Sequence, residues 1–370
     1  MAEINATILI PDISGFTEFM TKTELSHSSH AISMLIDAIV SAVGEDYEVS
    51  EIEGDAVLLV KKGAPPTKKD ILDICIKIFN AFHYQRKWMM QHTLCPCKAC
   101  MDLANLTLKF VVHYGPLAEI KVGRFIKYSG LEMIVAHRLL KNRIENHEYL
   151  LVTEKMMKNV EDEPDRFGME WTISSENFDS IGSVAYYFAL LNEARRHTPE
   201  PPEPTRYQTD DTPYLEEAIA GNFKDVYTEI MNIPERDKWV PGLQKVEQEV
   251  PDVFVGNMHH CTFETYRTNV TPLHMEVSAD RIVYAEKWEI EGTDYELVYE
   301  FVFKEIDDQR CRVSGRFMNA GKIPLTQPMS FALFENLQST FDSLKERFEK
   351  TTEVDNASFS HPYKSKYLHN

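Results

Sequence analysis

The stretch from Arg196 to Asp211, RHTPEPPEPTRYQTDD, sets the first limit on how this chain folds. Its prolines lack the amide hydrogen that helices and sheets use, and its charges resist burial. It reads as a stiff, extended linker that shares no core with what it joins. The chain is therefore expected to form two globular parts, residues 1–195 and 212–350, with a polar tail over 351–370. A length of 370 residues suits two cores. With 43% hydrophobic and 26% charged residues, both parts can bury an interior.

Charge narrows the partners. A net charge of -19 repels phosphate backbones and anionic lipid, so neither nucleic acid nor a membrane surface is expected as a partner. No apolar run approaches the roughly 18 residues of a membrane span. The opening MAEINATILI lacks the basic flank and long apolar core of a signal peptide. Six cysteines in so long a chain do not make a disulfide scaffold, and the expected compartment is a reducing cytoplasm.

In the first part, Ala6–Ile10 is a short apolar strand. Residues 28–43 carry Ile32, Leu35, Ile36, Ile39, Val40 and Val43 at helical spacing. YEVSEI and AVLLVK read as two strands reversing at Glu53-Gly54-Asp55, where Gly54 permits the tight turn. A helix of about 20 residues is expected from Lys68. LTLKFVVHY (106–114) is a buried strand, 130–142 a helix and YLLVT (149–153) a strand. The order βαββαβ predicts an α+β sandwich of ferredoxin-like type. In the second part, residues 215–231 are amphipathic, and a series of strand-like runs follows. The strongest alternation is in YELVYEFVF. The part ends in a long helix over 329–349, with Phe331, Phe334, Phe341, Leu344 and Phe348 on one face. An antiparallel sheet closed over that helix is expected.

Asp12 sits at the end of the first strand and Asp55 in the turn of the hairpin. In a βαββ unit the first strand pairs with the hairpin, so the two carboxylates converge. They repel unless a hard cation lies between them, and Mg²⁺ takes one or two carboxylates and completes its shell with phosphate oxygens. Gly15, Phe16 and Thr17 then offer backbone amides to a polyphosphate. The plainer alternative is a helix N-cap and a turn aspartate, both common.

ILIPDISGFTEFM resembles the first motif of class III nucleotide cyclases, and YEVSEIEGDAVLLV their second. LKFVVHYGPLAEIKVGRFIKYSGLEMIVAHRLL is similar to their strand, dimer arm and arginine-bearing helix, in that order. The resemblance covers about residues 1–190. It implies a two-metal site, with Mg²⁺ or Mn²⁺ on Asp12, Asp55 and the Ile13 carbonyl. There a nucleoside triphosphate would be cyclised with loss of pyrophosphate. It also implies a homodimer in which Arg138 of one subunit steadies the transition state in the other, and a base-selecting role for Glu51. Acid at that position resembles guanylate more than adenylate cyclases. The pattern departs at Ile134, where the family has asparagine, at Lys127, the second base-selecting position, and at Asp179, which aligns with a phosphate-binding lysine. Isoleucine cannot hydrogen-bond a ribose. Nucleotide binding with weak, altered or absent turnover is therefore expected.

His92, Cys95, Cys97 and Cys100, in HTLCPCKAC, form a second constellation. One imidazole and three thiolates suit a structural zinc ion. Reduced inert thiols and a redox-sensitive disulfide are the alternatives. Cys75 falls on the apolar face of its helix and reads as core. His113 reads as a strand-end histidine in contact with solvent.

The second part resembles the START-like (SRPBCC) helix-grip superfamily over about 212–350, through IPERDKWVPGLQKVE, VFVGNMHHCTFE, the strand series and the terminal helix. That resemblance implies a cavity for an apolar small molecule, with Trp239, Met329, Phe331 and Phe334 as candidate walls. His259 and Cys261 share one strand face and His260 the other. Two readings stand beside the cyclase one: a non-catalytic ligand-sensing scaffold, and an apolar small-molecule carrier.

Overall fold

The computed structural model describes residues 2–22, 25–94, 102–123, 125–157, 168–204, 207, 209, 212, 214–248 and 254–355. The fold is mixed α+β with two sheets, and the chain divides into two compact units. Among the described residues, the first unit takes in 2–90 and 102–202, and the second 91–94 and 203–355.

The first unit runs β1 (Ala2–Ser14), α1 (Phe16–Lys22), α2 (Leu25–Val43), β2 (Glu48–Glu53), β3 (Ala56–Lys62) and α3 (Lys68–His92). It continues through β4 (Thr107–Val122), β5 (Phe125–Ser129), α4 (Leu131–Leu139), β6 (Tyr149–Thr153), α5 (Glu154–Met157), β7 (Trp171–Phe178), β8 (Gly182–Leu190) and α6 (Asn192–Arg196). Its sheet has the order β2-β3-β1-β4-β6-β8-β7, with β5 folded back on β4. Only β4 and β6 pair in parallel among the described strands of this sheet.

Residues 6–14 of β1 are buried on both faces, which is why Ala6–Ile10 reads as a continuous apolar run. Leu9 and Ile13 face Leu35 and Ile39 of α2 and Phe79 and Phe82 of α3. Ile8 and Ile10 face Met133 and Ala136 of α4. The helix α3 opens on a reciprocal cap. The Thr67 amide donates to Asp70 Oδ2, and the Asp70 amide donates to Thr67 Oγ1, each at 3.1 Å.

The second unit contains β9 (Leu215–Ala220), α7 (Phe223–Met231), β10 (Leu243–Gln248), β11 (His259–Phe263), β12 (Arg267–Val277), β13 (Arg281–Ile290), β14 (Glu296–Asp307), β15 (Arg310–Asn319) and α8 (Gln327–Asp355). Its sheet is antiparallel in the order β10-β11-β12-β13-β14-β15-β9. The amphipathic stretch 215–231 is thus a strand and a helix. Asn222 ends the strand run by capping α7, its Oδ1 accepting from the Lys224 amide at 2.9 Å. Leu337, Phe341 and Leu344 of α8 enter the core. Gly315 of β15 permits this approach, because a Cβ there would stand 2.6 Å from the Phe341 ring. Residues 91–94 belong to this unit: Leu94 is buried in its core, and Tyr227 Oη donates to the Leu94 carbonyl at 2.6 Å.

No helix among the described residues is long and apolar enough to cross a membrane.

Candidate functional site

Register brings the first acidic pair together. Asp12 lies opposite Ala56 of β3 on one side and Lys109 of β4 on the other. The Ile13 amide donates to the Asp55 carbonyl at 3.0 Å, tying the end of β1 to the hairpin turn. Asp12 is 8% exposed. The Asp55 carboxyl is pushed above the usual range, first by burial and then by the Asp12 charge beside it. That repulsion is what a bound cation relieves. The two carboxylates therefore fit a hard divalent ion, although no cluster of three or more His, Cys, Asp or Glu is arranged for metal among the described residues. Gly15 follows at a φ of 87°, a conformation that favours glycine, and α1 begins at once. Phe16 is half-buried and Thr17 exposed.

One cation already touches the pair. Lys109 Nζ stands 3.0 Å from Asp12 Oδ2 and donates to the Leu140 carbonyl at 3.3 Å. Nothing in the sequence marks Lys109 for this place, because only the β1–β4 register aligns it with Asp12.

The other expected residues lie on β2, β5 and α4. Lys127 Nζ is 3.3 Å from Glu51 Oε1, so the two residues form an ion pair within one chain. Arg138 lies in the last turn of α4, its guanidinium 5.7 Å from the centre of the Phe178 ring. With Glu53, Met133, Ile134, His137 and Lys141 it lines an open cleft of about 420 Å³. Ile134 is 49% exposed, and Asp179 is exposed between β7 and β8.

His113 corrects the sequence reading: it is 2% exposed and has no solvent role. Its Nδ1 is 2.8 Å from Thr153 Oγ1 and its Nε2 is 2.5 Å from Glu132 Oε2. Lys155 Nζ donates to Glu132 Oε1 at 2.5 Å. The His113 hydrogen bond, with help from Lys155, pulls the Glu132 carboxyl down to about 2. Gly115 leaves room for this network, since a Cβ there would meet Glu132 at 2.7 Å.

Cys95, Cys97 and Cys100 lie outside the described residues. His92 is buried, and its carbonyl accepts from the Val255 amide at 2.9 Å. Cys75 is fully buried in the first core.

In the second unit, a cavity of about 40 Å³ is lined by Trp239, Cys261, Glu286, Trp288, Tyr299 and Thr340, among others. Phe331 is not a wall: it is 65% exposed near the start of α8. Phe334 packs on Phe317 instead, with ring centres 4.7 Å apart. The cavity wall is not purely apolar. Arg236 and Glu286 form a buried ion pair, Nη2 to Oε2 at 3.0 Å. Tyr284 Oη and Trp288 Nε1 also donate to Glu286, at 2.6 and 3.0 Å. His259 is 0% exposed, and neither ring nitrogen has a hydrogen-bond partner among the described residues; the same holds for Trp239 Nε1. Burial, then the Arg236 charge, pushes the His259 imidazole down to about 3.

Residues 32–149 match the family described as "Protein of unknown function (DUF2652)". The chain is 27% identical over 160 residues to "Uncharacterized protein Rv2561/Rv2562" of Mycobacterium tuberculosis, which spans 43% of this chain and 73% of that protein. Among solved structures, the guanylyl cyclase Cya2 is 12% identical, covering 51% of this chain and 92% of its own, at a TM-score of 0.37. A bacterial light-regulated adenylyl cyclase is 18% identical, covering 52% and 53%, at 0.38. The adenylyl cyclase CyaB from P. aeruginosa is 15% identical, covering 51% and 95%, at 0.34. The likeness to adenylyl and guanylyl cyclases thus spans about half of this chain at low identity.

Proposed function

We propose that the first unit is a ferredoxin-like domain of the class III cyclase kind, binding a nucleoside triphosphate with Mg²⁺ or Mn²⁺ and turning it over weakly. One observation carries this reading. Asp12 and Asp55 come from separate motifs, yet Asp12 lies opposite Ala56 and the Ile13 amide donates to the Asp55 carbonyl at 3.0 Å, while burial and then the Asp12 charge raise the Asp55 carboxyl. Asp12, Asp55 and the Ile13 carbonyl would hold the divalent ion, which when bound neutralises phosphate charge and acidifies the attacking hydroxyl. Gly15, Phe16 and Thr17 form the turn that faces the phosphates. The seven-residue α1 adds little dipole, so backbone amides do most of this work. Glu51, braced by Lys127, reads the base. Arg138 of a second copy steadies the charged phosphorus centre. Ile134 offers no donor and Asp179 repels phosphate. Losing one aligned donor costs about 10²–10³ in rate, which makes the turnover weak.

The homodimer in this reading is supported by exposed apolar side chains on β2, β5 and α4: Val49, Ile52, Ile126, Leu131 and Ile134. Ile52→Lys with Ile134→Lys is expected to leave a monomer by light scattering. The test of function is purified protein with ATP or GTP and Mn²⁺, followed by chromatography for cyclic nucleotide. Product that disappears in Asp12→Ala and in Asp55→Ala supports the reading. Neither product nor Mn²⁺-dependent nucleotide uptake would leave a non-catalytic scaffold.

A second reading concerns the second unit, taken as a helix-grip domain that holds a small molecule between sheet and α8. The unpartnered Trp239 Nε1 beside the cavity favours it, because a buried donor gains most from a ligand acceptor. A space of about 40 Å³ holds two or three waters and no acyl chain. The occupant is thus small and carries an oxygen acceptor, or enters as α8 shifts. Mass spectrometry of co-purified small molecules tests this. If such ligands leave nucleotide turnover unchanged, the two units act separately.

A further inference from the structure

Two carboxylates at the metal position carry a charge of minus two, but this pair is not alone. The Lys109 ammonium is 18% exposed, sits on Asp12 Oδ2 at 3.0 Å, and partly offsets the push on Asp55. Its position is fixed twice. The β1–β4 register sets Lys109 opposite Asp12, and Nζ also donates to the Leu140 carbonyl just past the last turn of α4. Helix C-terminal carbonyls carry partial negative charge and hold a cation there. A side chain held from both ends does not swing away without leaving Asp12 buried and unpaired.

Resting on the proposed nucleotide site, we infer that Lys109 stands as a fixed monovalent cation within the carboxylate pair. The first unit then takes up one divalent ion where a bare pair would take two, and takes it together with the nucleotide's phosphates. The physical reason is charge. With Lys109 in place the pair keeps a net charge of about minus one, and a second cation must approach an ammonium already at contact distance. Mg²⁺ gives up its waters reluctantly and leans on phosphate oxygens where protein ligands are few. A triphosphate restores the missing negative charge, so metal and nucleotide bind as one event. Lys109 also links Asp12 to the end of the helix that carries Arg138, which makes it a positioning residue for both.

The experiment is calorimetric titration of the full-length chain with MnCl₂, without nucleotide, in wild type, Lys109→Met and Lys109→Gln. Wild type is expected to show no saturable uptake below millimolar Mn²⁺. Both variants are expected to bind Mn²⁺ at least about tenfold more tightly. Removing the ammonium leaves Asp12 unpaired, so both variants are expected to melt lower than wild type. Mn²⁺ then raises their melting temperature and leaves that of wild type unchanged. The effect disappears when Asp12→Asn is added. Equal Mn²⁺ affinity in wild type and both variants overturns the inference, as does tight binding of two ions by wild type. The nucleotide reading fails separately. Mn²⁺ rescue of the variants without any nucleotide uptake sinks that reading and leaves this one standing. Nucleotide uptake with unchanged Mn²⁺ affinity does the reverse.

Discussion

His113 in the first unit and His259 in the second are 2% and 0% exposed, yet their surroundings are opposite. His113 has a hydroxyl against one nitrogen and a carboxylate against the other, with Lys155 completing the set. His259 has neither nitrogen partnered among the described residues and lies in the field of the Arg236 guanidinium. The first unit uses buried charge to fix the start of α4, the helix that carries Arg138. The second holds its buried ion pair beside a cavity and keeps a neutral imidazole next to it. Equal burial therefore gives unequal chemistry, and the partners decide which.

The largest expected effect comes from the second unit. Glu286→Ala leaves Arg236 buried without a counter-charge and is expected to cost about 3–5 kcal/mol in urea unfolding. The double change Arg236→Met with Glu286→Leu recovers only part of the loss, because Tyr284 Oη and Trp288 Nε1 stay unpaired. Full recovery would show that the pair matters only through its own charges.

Next is Glu132. Its carboxyl titrates near 2 in the folded chain, below the ordinary range of about 4 in the unfolded one. The folded state therefore gains stability above about pH 4, and loses it as pH falls toward 2. Glu132→Gln is expected to cost about 3 kcal/mol at pH 7 and almost nothing at pH 2. A pH-independent cost would reduce the network to simple packing.

His259 shifts in the same direction for the opposite reason: burial and the Arg236 charge disfavour its charged form, whereas His113 and Lys155 favour that of Glu132. The imidazole's folded value near 3 lies below the unfolded value near 6.5, so the unfolded chain binds the proton first. Stability of the second unit is expected to fall by about 2 kcal/mol between pH 6.5 and pH 5. His259→Leu flattens that slope. If the wild-type slope survives in the variant, another group carries it.

The smallest stability effect belongs to Ile134→Asn, within about 0.5 kcal/mol because the side chain is half exposed. The same change supplies the polar group that the cyclase resemblance expects, and is predicted to raise cyclic nucleotide formation. No rise would move the expected limit on turnover from Ile134 to Asp179 or to the Lys109 charge.

The local elements were legible in residue order alone. YLLVT became β6, Gly54 reversed β2 into β3, and the helix expected from Lys68 runs to His92, because periodicity and turn chemistry act within a few residues. Alternation separated His259 and Cys261 from His260 in the same way, since a strand sends neighbours to opposite faces. The amphipathic run 215–231 left the element type open, because a strand and a capped helix share one apolar pattern. Tertiary structure alone decided which charges meet. Lys109 reaches Asp12 through strand register, Glu132 reaches His113 through the packing of α4 on β4, and Leu94 enters the second core. Each is a pairing between distant segments, and the energy of a buried charge depends on neighbours that chain order does not reveal.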